Sequence, residues 1–458
     1  MASMGLRRTF CSARFVLALT AISIFLRLFF LHPTYADENF YFNVAKQVAN
    51  GVVPYKDFFF AHPPLQIYLL AALFKTFGTS LAVGKLVPLV SSSLSALAIY
   101  FIAEKIYDKK TALFSASIFL VLPPFVAFSV IENGVFTAML FFLLSIYFFE
   151  KNNIRLSALL LVLSSMFRFT VLFYIPVFLI FYEKKKIIRF LVYSTLILSM
   201  AILLCYSMFG YQFIADTMIF HVSQKIGYQQ SSMQYWSFGF FFIFIAALSA
   251  LQGVQKKDKK LILLSVVPII IDLAIIFSIR TIFYHYFLIS LPFLAIAIGR
   301  SLSSGKDILI KIFIIGIVIF SLYSNIPTLD LYLNPSHAKN LDSIADFVQQ
   351  NTKKNDFIFG EPTITNYISF KTNLRMPLNY MDSFMQHINF EGEEKLLEKL
   401  KKEKPAVFIE LGNDRSYYLA LPGIGKFVKE NYVSAVNFTG VPNYEVFKLK
   451  SSISTEKF

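Results

Sequence analysis

The chain has 458 residues, of which 56% are hydrophobic and 16% charged, with a mean hydropathy of +0.60, a balance that excludes a soluble enzyme. With 53 Phe and 24 Tyr against 17 Pro and 18 Gly, it is neither disordered nor collagen-like. The net charge of +15 does not point to nucleic acid: residues 335–458 hold 16 basic and 15 acidic side chains, so the excess sits in the apolar part and no nucleic-acid partner is expected.

A bilayer core is crossed by about 20 apolar residues as a helix. Segments of roughly that size run at 13–31, 83–103, 111–130, 134–149, 190–209, 235–252, 261–279, 283–299 and 308–325. The stretch 156–182 is too long for one straight span and holds Arg168, which predicts two short helices meeting at that residue and a total of about 11 spans. The first segment is long for a signal peptide and contains Arg27, so Thr34-Tyr35-Ala36 reads as loop rather than cleavage site. Cys11 and Cys205 lie far apart in apolar surroundings, which supports neither a disulfide framework nor a zinc site.

Orientation follows from the basic residues, because cytoplasmic loops carry the Lys/Arg excess. Of the 27 in the first 334 residues, 19 fall in alternate connections, such as Lys105, Lys109 and Lys110 or Lys256, Lys257, Lys259 and Lys260, and eight on the other side. The expectation is a multi-pass cell-membrane protein with its N-terminus cytoplasmic.

Between 32 and 82 the chain leaves the membrane without becoming ordinary loop. Phe40, Tyr41, Val44, Ala45 and Val48 stand at helical spacing with polar residues between, which predicts an interfacial helix over 38–50. Gly51 to Asp57 reads as a turn, and Pro63-Pro64 opens a second helix. Residues 1–334 thus form a transmembrane domain and 335–458 a small soluble extracytoplasmic α/β domain. Its helices are predicted at 338–350, 392–403 and 423–431, and its strands at 356–360, 406–410, 432–438 and 443–449.

Several residues can carry chemistry. Asp37 and Glu38 directly follow the first span; a carboxylate there can take a proton from an attacking hydroxyl, or simply begin a helix. His62 beside Pro63-Pro64 fixes a polar group at the same surface, and Glu132 adds an acid at a short outer turn. Arg168, Arg280 and His285 are cationic or potentially cationic groups at outer helix ends; they suit a phosphate, or snorkel to lipid head groups. Asp272, within a span, is expected to pair with a neighbouring helix.

Together these residues resemble a family. Asp37-Glu38 with Tyr41 and Ala45, then Gly51, Pro54-Tyr55 and His62-Pro63-Pro64-Leu65, resemble the first outer loop of the C-type membrane glycosyltransferases. The likeness is to the protein O-mannosyltransferases (glycosyltransferase family 39) and the lipid A aminoarabinose transferases. Val130-Ile131-Glu132-Asn133 sits where the family usually has an Asp, Arg168 where it has Lys or Arg, and the segment Arg280 to Pro292, with His285 and Tyr286, is similar to its basic His-Tyr segment before a late span. The sequence departs in having Glu at 132, no Gly-Lys after His62-Pro63-Pro64-Leu65, and a C-terminal domain unlike a β-trefoil.

The resemblance implies an inverting transfer of a sugar from a polyprenyl-phosphate donor to a glycan, lipid or protein acceptor at the outer membrane face. It implies Asp37 as base, Glu38 as its supporting acid, Arg168, Arg280 and His285 with Tyr286 at the donor phosphate, and His62 and Glu132 shaping the cavity. No cofactor and no obligatory metal are expected, since the cations can supply the charge. A second reading is a multi-span transporter or flippase of a lipid-linked or anionic solute, whose acids and arginines line a pathway. A third, a polytopic scaffold with an outer binding domain, leaves the Asp37-Glu38 and His62-Pro63-Pro64-Leu65 cluster unused.

Overall fold

The structure, a computed structural model, describes residues 2–181, 183–223, 233–279, 287–304, 308–376, 392–412, 418–440 and 442–450. The chain begins with α1 (Ala2–Arg27), then enters the first loop with α2 (Glu38–Ala49) and α3 (Leu65–Phe77). A bundle follows: α4 (Leu81–Ile106), α5 (Lys109–Val121), α6 (Pro123–Phe128), α7 (Val135–Glu150), α8 (Ile154–Phe167), a 3-10 helix at Phe169–Phe181, and α9 (Lys184–Phe209). Two short helices, α10 (Tyr211–Ile214) and α11 (Phe220–Ser223), flank a π turn at Ala215–Ile219; then come α12 (Met233–Gln255), α13 (Lys259–Ile279), α14 (Leu291–Ser303), α15 (Ile308–Ser324) and α16 (Ile326–Leu333).

Among the described residues, Leu81–Ile106, Lys184–Phe209 and Lys259–Ser278 are each long and apolar enough to cross a bilayer, and α15 with α16, bent by 50°, makes a fourth candidate. Several of the other apolar helices are shorter, and two of them end where the sequence breaks them. Pro123 ends α5 at Leu122, since the residue before a proline is driven out of the helical region, and Leu122 is extended, with ψ 136°. At Arg168 the backbone is again extended, with φ −150° and ψ 112°. There the chain reverses: Arg168 meets Asn133, beside the start of α7, while Phe178 lies 5.0 Å from Phe149 at its far end. On α9, Leu196, Met200, Leu203 and Leu204 are exposed, the side chains that acyl tails would cover.

The two ends of the bundle differ. At one, Arg300 bonds Asp258 at 3.1 Å and Asp108 at 3.5 Å, tying together α14 and the starts of α13 and α5. The other, the loop end, carries α2, α3 and the C-terminal unit. That unit holds α17 (Pro335–Gln350), β1 (Ile358–Gly360), α18 (Pro362–Thr372), α19 (Glu393–Glu403), β2 (Val407–Leu411), α20 (Pro422–Asn431), β3 (Tyr432–Phe438) and β4 (Tyr444–Leu449). Its sheet has the order β1-β2-β4-β3, with β1 and β2 parallel and the other pairs antiparallel.

The loop and this unit share one apolar core: Phe42, Ile67, Leu70 and Phe74 join Ile344, Ile364, Ile368, Ile409 and Val446. This corrects the interfacial placement of α2. The helix lies between α3 and α18, and Glu38 through Lys46 are all buried. Its polar residues bind protein: Asn43 Nδ2 donates to Asn366 Oδ1 at 2.9 Å, Ser369 Oγ to Asn43 Oδ1 at 3.2 Å, and Lys46 Nζ to Phe370 O at 2.5 Å.

Candidate functional site

The acids of the first loop face opposite ways. Asp37 is exposed at the N-cap of α2, its carbonyl accepting from Phe40 N at 3.0 Å. Glu38 is fully buried and paired with Lys85 of α4, which is equally buried, at 2.7 Å. Thr34 Oγ1 donates to Glu38 Oε1 at 2.5 Å, and Glu132 N approaches Glu38 Oε2 at 3.4 Å. Lys85 also donates to Val130 O at 3.4 Å. One carboxylate thus gathers the loop, α4 and the turn between α6 and α7, with its charge met by a cation and its lone pairs by donors, as a buried ion pair requires.

Glu132 lies on that turn, almost wholly buried. Its Oε1 accepts from Gln66 Nε2 at 3.0 Å and Gly134 N at 2.8 Å. Gly134 has a φ of +75°, and a Cβ there would come within 2.7 Å of Gln66 Oε1, so the turn needs glycine. Burial pushes the Glu132 carboxyl up to about 7, against the Gly134 hydrogen bond and the Arg168 charge. Its Oε2, with Gln66 Oε1 and Asn133 Nδ2, has no hydrogen-bond partner among the described residues.

Arg168 is held by its neighbours. Nε donates to Asn133 O at 2.6 Å, Nη2 to the same carbonyl and to Tyr41 Oη at 2.8 Å, and Nη1 lies 2.8 Å from His62 Nδ1. The guanidinium also sits 5.4 Å from the Tyr41 ring centroid. Four of its five N–H groups are therefore committed within the protein. One N–H is left for any further ligand, and the others join the break after α8 to the loop.

His62 is half-buried among Tyr41, Phe60 and His221, with ring centroids 5.7, 5.7 and 5.8 Å away. Its carbonyl accepts from Tyr55 Oη at 2.6 Å, and Tyr55 holds a left-handed φ of 67° to reach it. The turn before it closes as the sequence suggests, with Val53 N donating to Asp57 Oδ2 at 2.7 Å. His221 Nε2 donates to Ala61 O at 2.7 Å, and the buried Asp216 accepts from Phe60 N at 3.2 Å.

Asp37, Glu38, His62, Glu132 and Arg168 therefore converge at the loop end. Arg280, His285 and Tyr286 lie outside the described residues. Asp272 is buried in the bundle, where Tyr174 Oη donates to it. Sequence reasoning missed Lys85, which reads as one more loop charge, and Asp216 and His221, whose only signal was a polar break after α9. Among the described residues, no group of three or more His, Cys, Asp or Glu is placed to hold a metal ion.

Residues 61–209 match the family model described as dolichyl-phosphate-mannose-protein mannosyltransferase, a segment that contains His62, Lys85, Glu132 and Arg168 but not Asp37 or Glu38. No curated protein matches the chain. Among solved structures it is similar to ArnT from Cupriavidus metallidurans bound to undecaprenyl phosphate: TM-score 0.64 and 12% identity, covering 96% of this chain and 98% of that one. It is also similar to the apo oligosaccharyltransferase of Archaeoglobus fulgidus, with TM-score 0.55 and 12% identity over 96% and 74% of the two chains. The arabinofuranosyltransferase AftD from Mycobacteria gives a TM-score of 0.52 at 11% identity over 95% of this chain and 40% of that one. The fold is that of the C-type polytopic membrane glycosyltransferases.

Proposed function

We propose, on the premise of this C-type glycosyltransferase fold, that the protein moves a sugar with inversion from a polyprenyl-phosphate donor to an acceptor hydroxyl at the outer membrane face. The observation that carries the reading is the division of labour between adjacent acids. Glu38 is enclosed and neutralised by Lys85, while Asp37 is exposed at the end of the bundle where His62 and Arg168 meet.

In this reading Asp37 takes the acceptor proton as the acceptor oxygen bonds to the anomeric carbon. The bond from that carbon to the phosphate oxygen breaks, and its electron pair leaves with the polyprenyl phosphate. A phosphate is already a good leaving group, so no general acid is needed. Arg280 and His285, with Tyr286, are the side chains assigned to the phosphate, and a guanidinium suits it by bidentate hydrogen bonding. Arg168, His62 and Glu132 shape the cavity and lend it charge. The bound undecaprenyl phosphate of the Cupriavidus protein supports a polyprenyl phosphate as the carrier.

The test is transfer by purified protein in liposomes, from labelled polyprenyl-phosphate sugars to a crude membrane acceptor fraction. Label appearing in product supports the reading. No product from any of a panel of donors, together with donor flux across the bilayer, would replace it with transport.

A further inference from the structure

We infer that Lys85 is a positioning residue for the transfer reaction: it fixes the Asp37-Glu38 pair by neutralising Glu38 and locking it to the turn that carries Glu132. The inference rests on the reading of Asp37 as base. Lys85 touches no reacting atom in that reading, and nothing in the sequence marks it as more than a loop charge.

The geometry is specific. Both Lys85 and Glu38 are fully buried, and Lys85 Nζ reaches both carboxylate oxygens, at 2.7 and 3.0 Å. A third Lys85 contact, to Val130 O at 3.4 Å, ties the pair to the turn at 130–134. From there the chain of contacts runs on through Asn133 O to Arg168, and from Arg168 to His62. Lys85 thus stands where the first loop, α4 and the second turn join. A buried ammonium is costly without an acceptor of opposite sign beside it, and Glu38 is the acid placed to be that partner. The anion in turn accepts from Thr34 Oγ1 and Glu132 N, which set the entry to α2 and hence the place of Asp37.

Electrostatics makes the role measurable. Among the described residues, charged or titratable groups near the pair include Asp37, adjacent in sequence, and Glu132 on the facing turn, which Arg168 approaches in turn. With Lys85 present, the Glu38 charge is cancelled and Asp37 sees little of it. Without Lys85, burial favours the uncharged carboxyl at Glu38, which no longer accepts at both oxygens, so the entry to α2 loosens; without Glu38, the bare ammonium favours the ionised form of Asp37.

The experiment compares wild type with Lys85→Met, Glu38→Gln and the double variant, measuring transfer across pH, donor KM, and thermal unfolding. Wild-type transfer is established first, so that its absence condemns the reading of the enzyme and not this inference. In Lys85→Met, kcat is expected to fall at least about tenfold with donor KM unchanged, because the place of Asp37 is no longer fixed. Glu38→Gln is expected to move the acid limb of the rate profile down. The double variant removes both charges, keeps an isosteric amide for Thr34 and Glu132 N, and is expected to restore stability and the wild-type acid limb. It keeps the test open if Lys85→Met alone does not fold. An unmoved acid limb in Glu38→Gln, a double variant whose limb stays with that of Glu38→Gln, or folded Lys85→Met protein with wild-type kcat overturns the inference.

Discussion

His62 Nδ1 accepts a hydrogen bond from Arg168 Nη1 at 2.8 Å, because a guanidinium only donates. The contact joins the Pro63-Pro64 corner of the first loop to the point where the chain reverses after α8. Its strength depends on the fork, which serves His62, Tyr41 and Asn133 at once.

Arg168→Lys tests that fork. An ammonium cannot span three acceptors in the same geometry, so at least one buried acceptor loses its donor, at a cost of about 1–3 kcal/mol. The expected result is a lower unfolding temperature in detergent together with reduced transfer. A variant that melts and transfers like wild type would mean that the fork contributes charge alone.

Glu132 predicts a pH dependence of stability. Its carboxyl is raised from 4.5 to about 7 by burial, so between those values the folded state holds a proton that the unfolded chain has released. Stability from this group is complete below about pH 4.5 and is lost as pH rises through about 7, a change of about 3 kcal/mol. Glu132→Gln keeps the Gln66 and Gly134 contacts and removes the titration. Its unfolding temperature is expected to vary less than the wild type's between pH 5 and about 8. Parallel curves for the two proteins would place the titration elsewhere.

Much of the loop end was legible in the sequence, for reasons that differ by residue. Helix α2 declared itself by the spacing of Phe40, Tyr41, Val44 and Val48, but its polar face was ambiguous: Asn43 and Lys46 look the same whether they meet water, head groups or α18. Helix α18 left no pattern, because Ile364 to Phe370 are all buried and a helix enclosed on every side has no polar face. The strands read well, since Val407 to Leu411 and Tyr444 to Leu449 are short segments rich in β-branched and aromatic residues set off by turn residues. Lys85 was hidden for a different reason: only the folded chain brings it to Glu38, 47 residues away in sequence.

The C-terminal unit is expected to hold α2 in place through Asn43. Replacing it by Leu removes the donor that reaches Asn366 Oδ1 and one of two acceptors near Ser369 Oγ, which keeps Leu374 O at 2.8 Å, at a cost of about 1–3 kcal/mol. Hydrogen exchange should then quicken in both Pro362–Thr372 and Glu38–Ala49. Faster exchange in only one of them would show that the two helices do not open together.

The Lys/Arg distribution, 19 against eight, predicts that residues 335–458 lie outside the cell membrane. Lys354→Cys offers an exposed thiol on that unit, while Cys205 is buried. An impermeant maleimide is expected to label the variant in intact cells above the wild-type background. Labelling only after lysis would reverse the orientation and put the transfer site on the cytoplasmic face.

Asp37 separates transfer from transport. If it accepts the acceptor proton, Asp37→Asn keeps the side chain's shape and loses the base, so transfer should fall by about 10² to 10⁴-fold. Donor lipid should still bind, because the assigned phosphate ligands lie on other segments. The change is isosteric and sits at an exposed N-cap whose side chain makes no capping bond, so α2 is expected to keep its start. Glu38→Gln should cost less activity, since that residue acts through its neighbour, and its loss is expected to appear as a shifted pH profile. Folded Asp37→Asn protein with wild-type transfer would remove Asp37 from the chemistry. Folded protein with no transfer and undiminished donor binding would leave the exposed acid as the group that activates the acceptor.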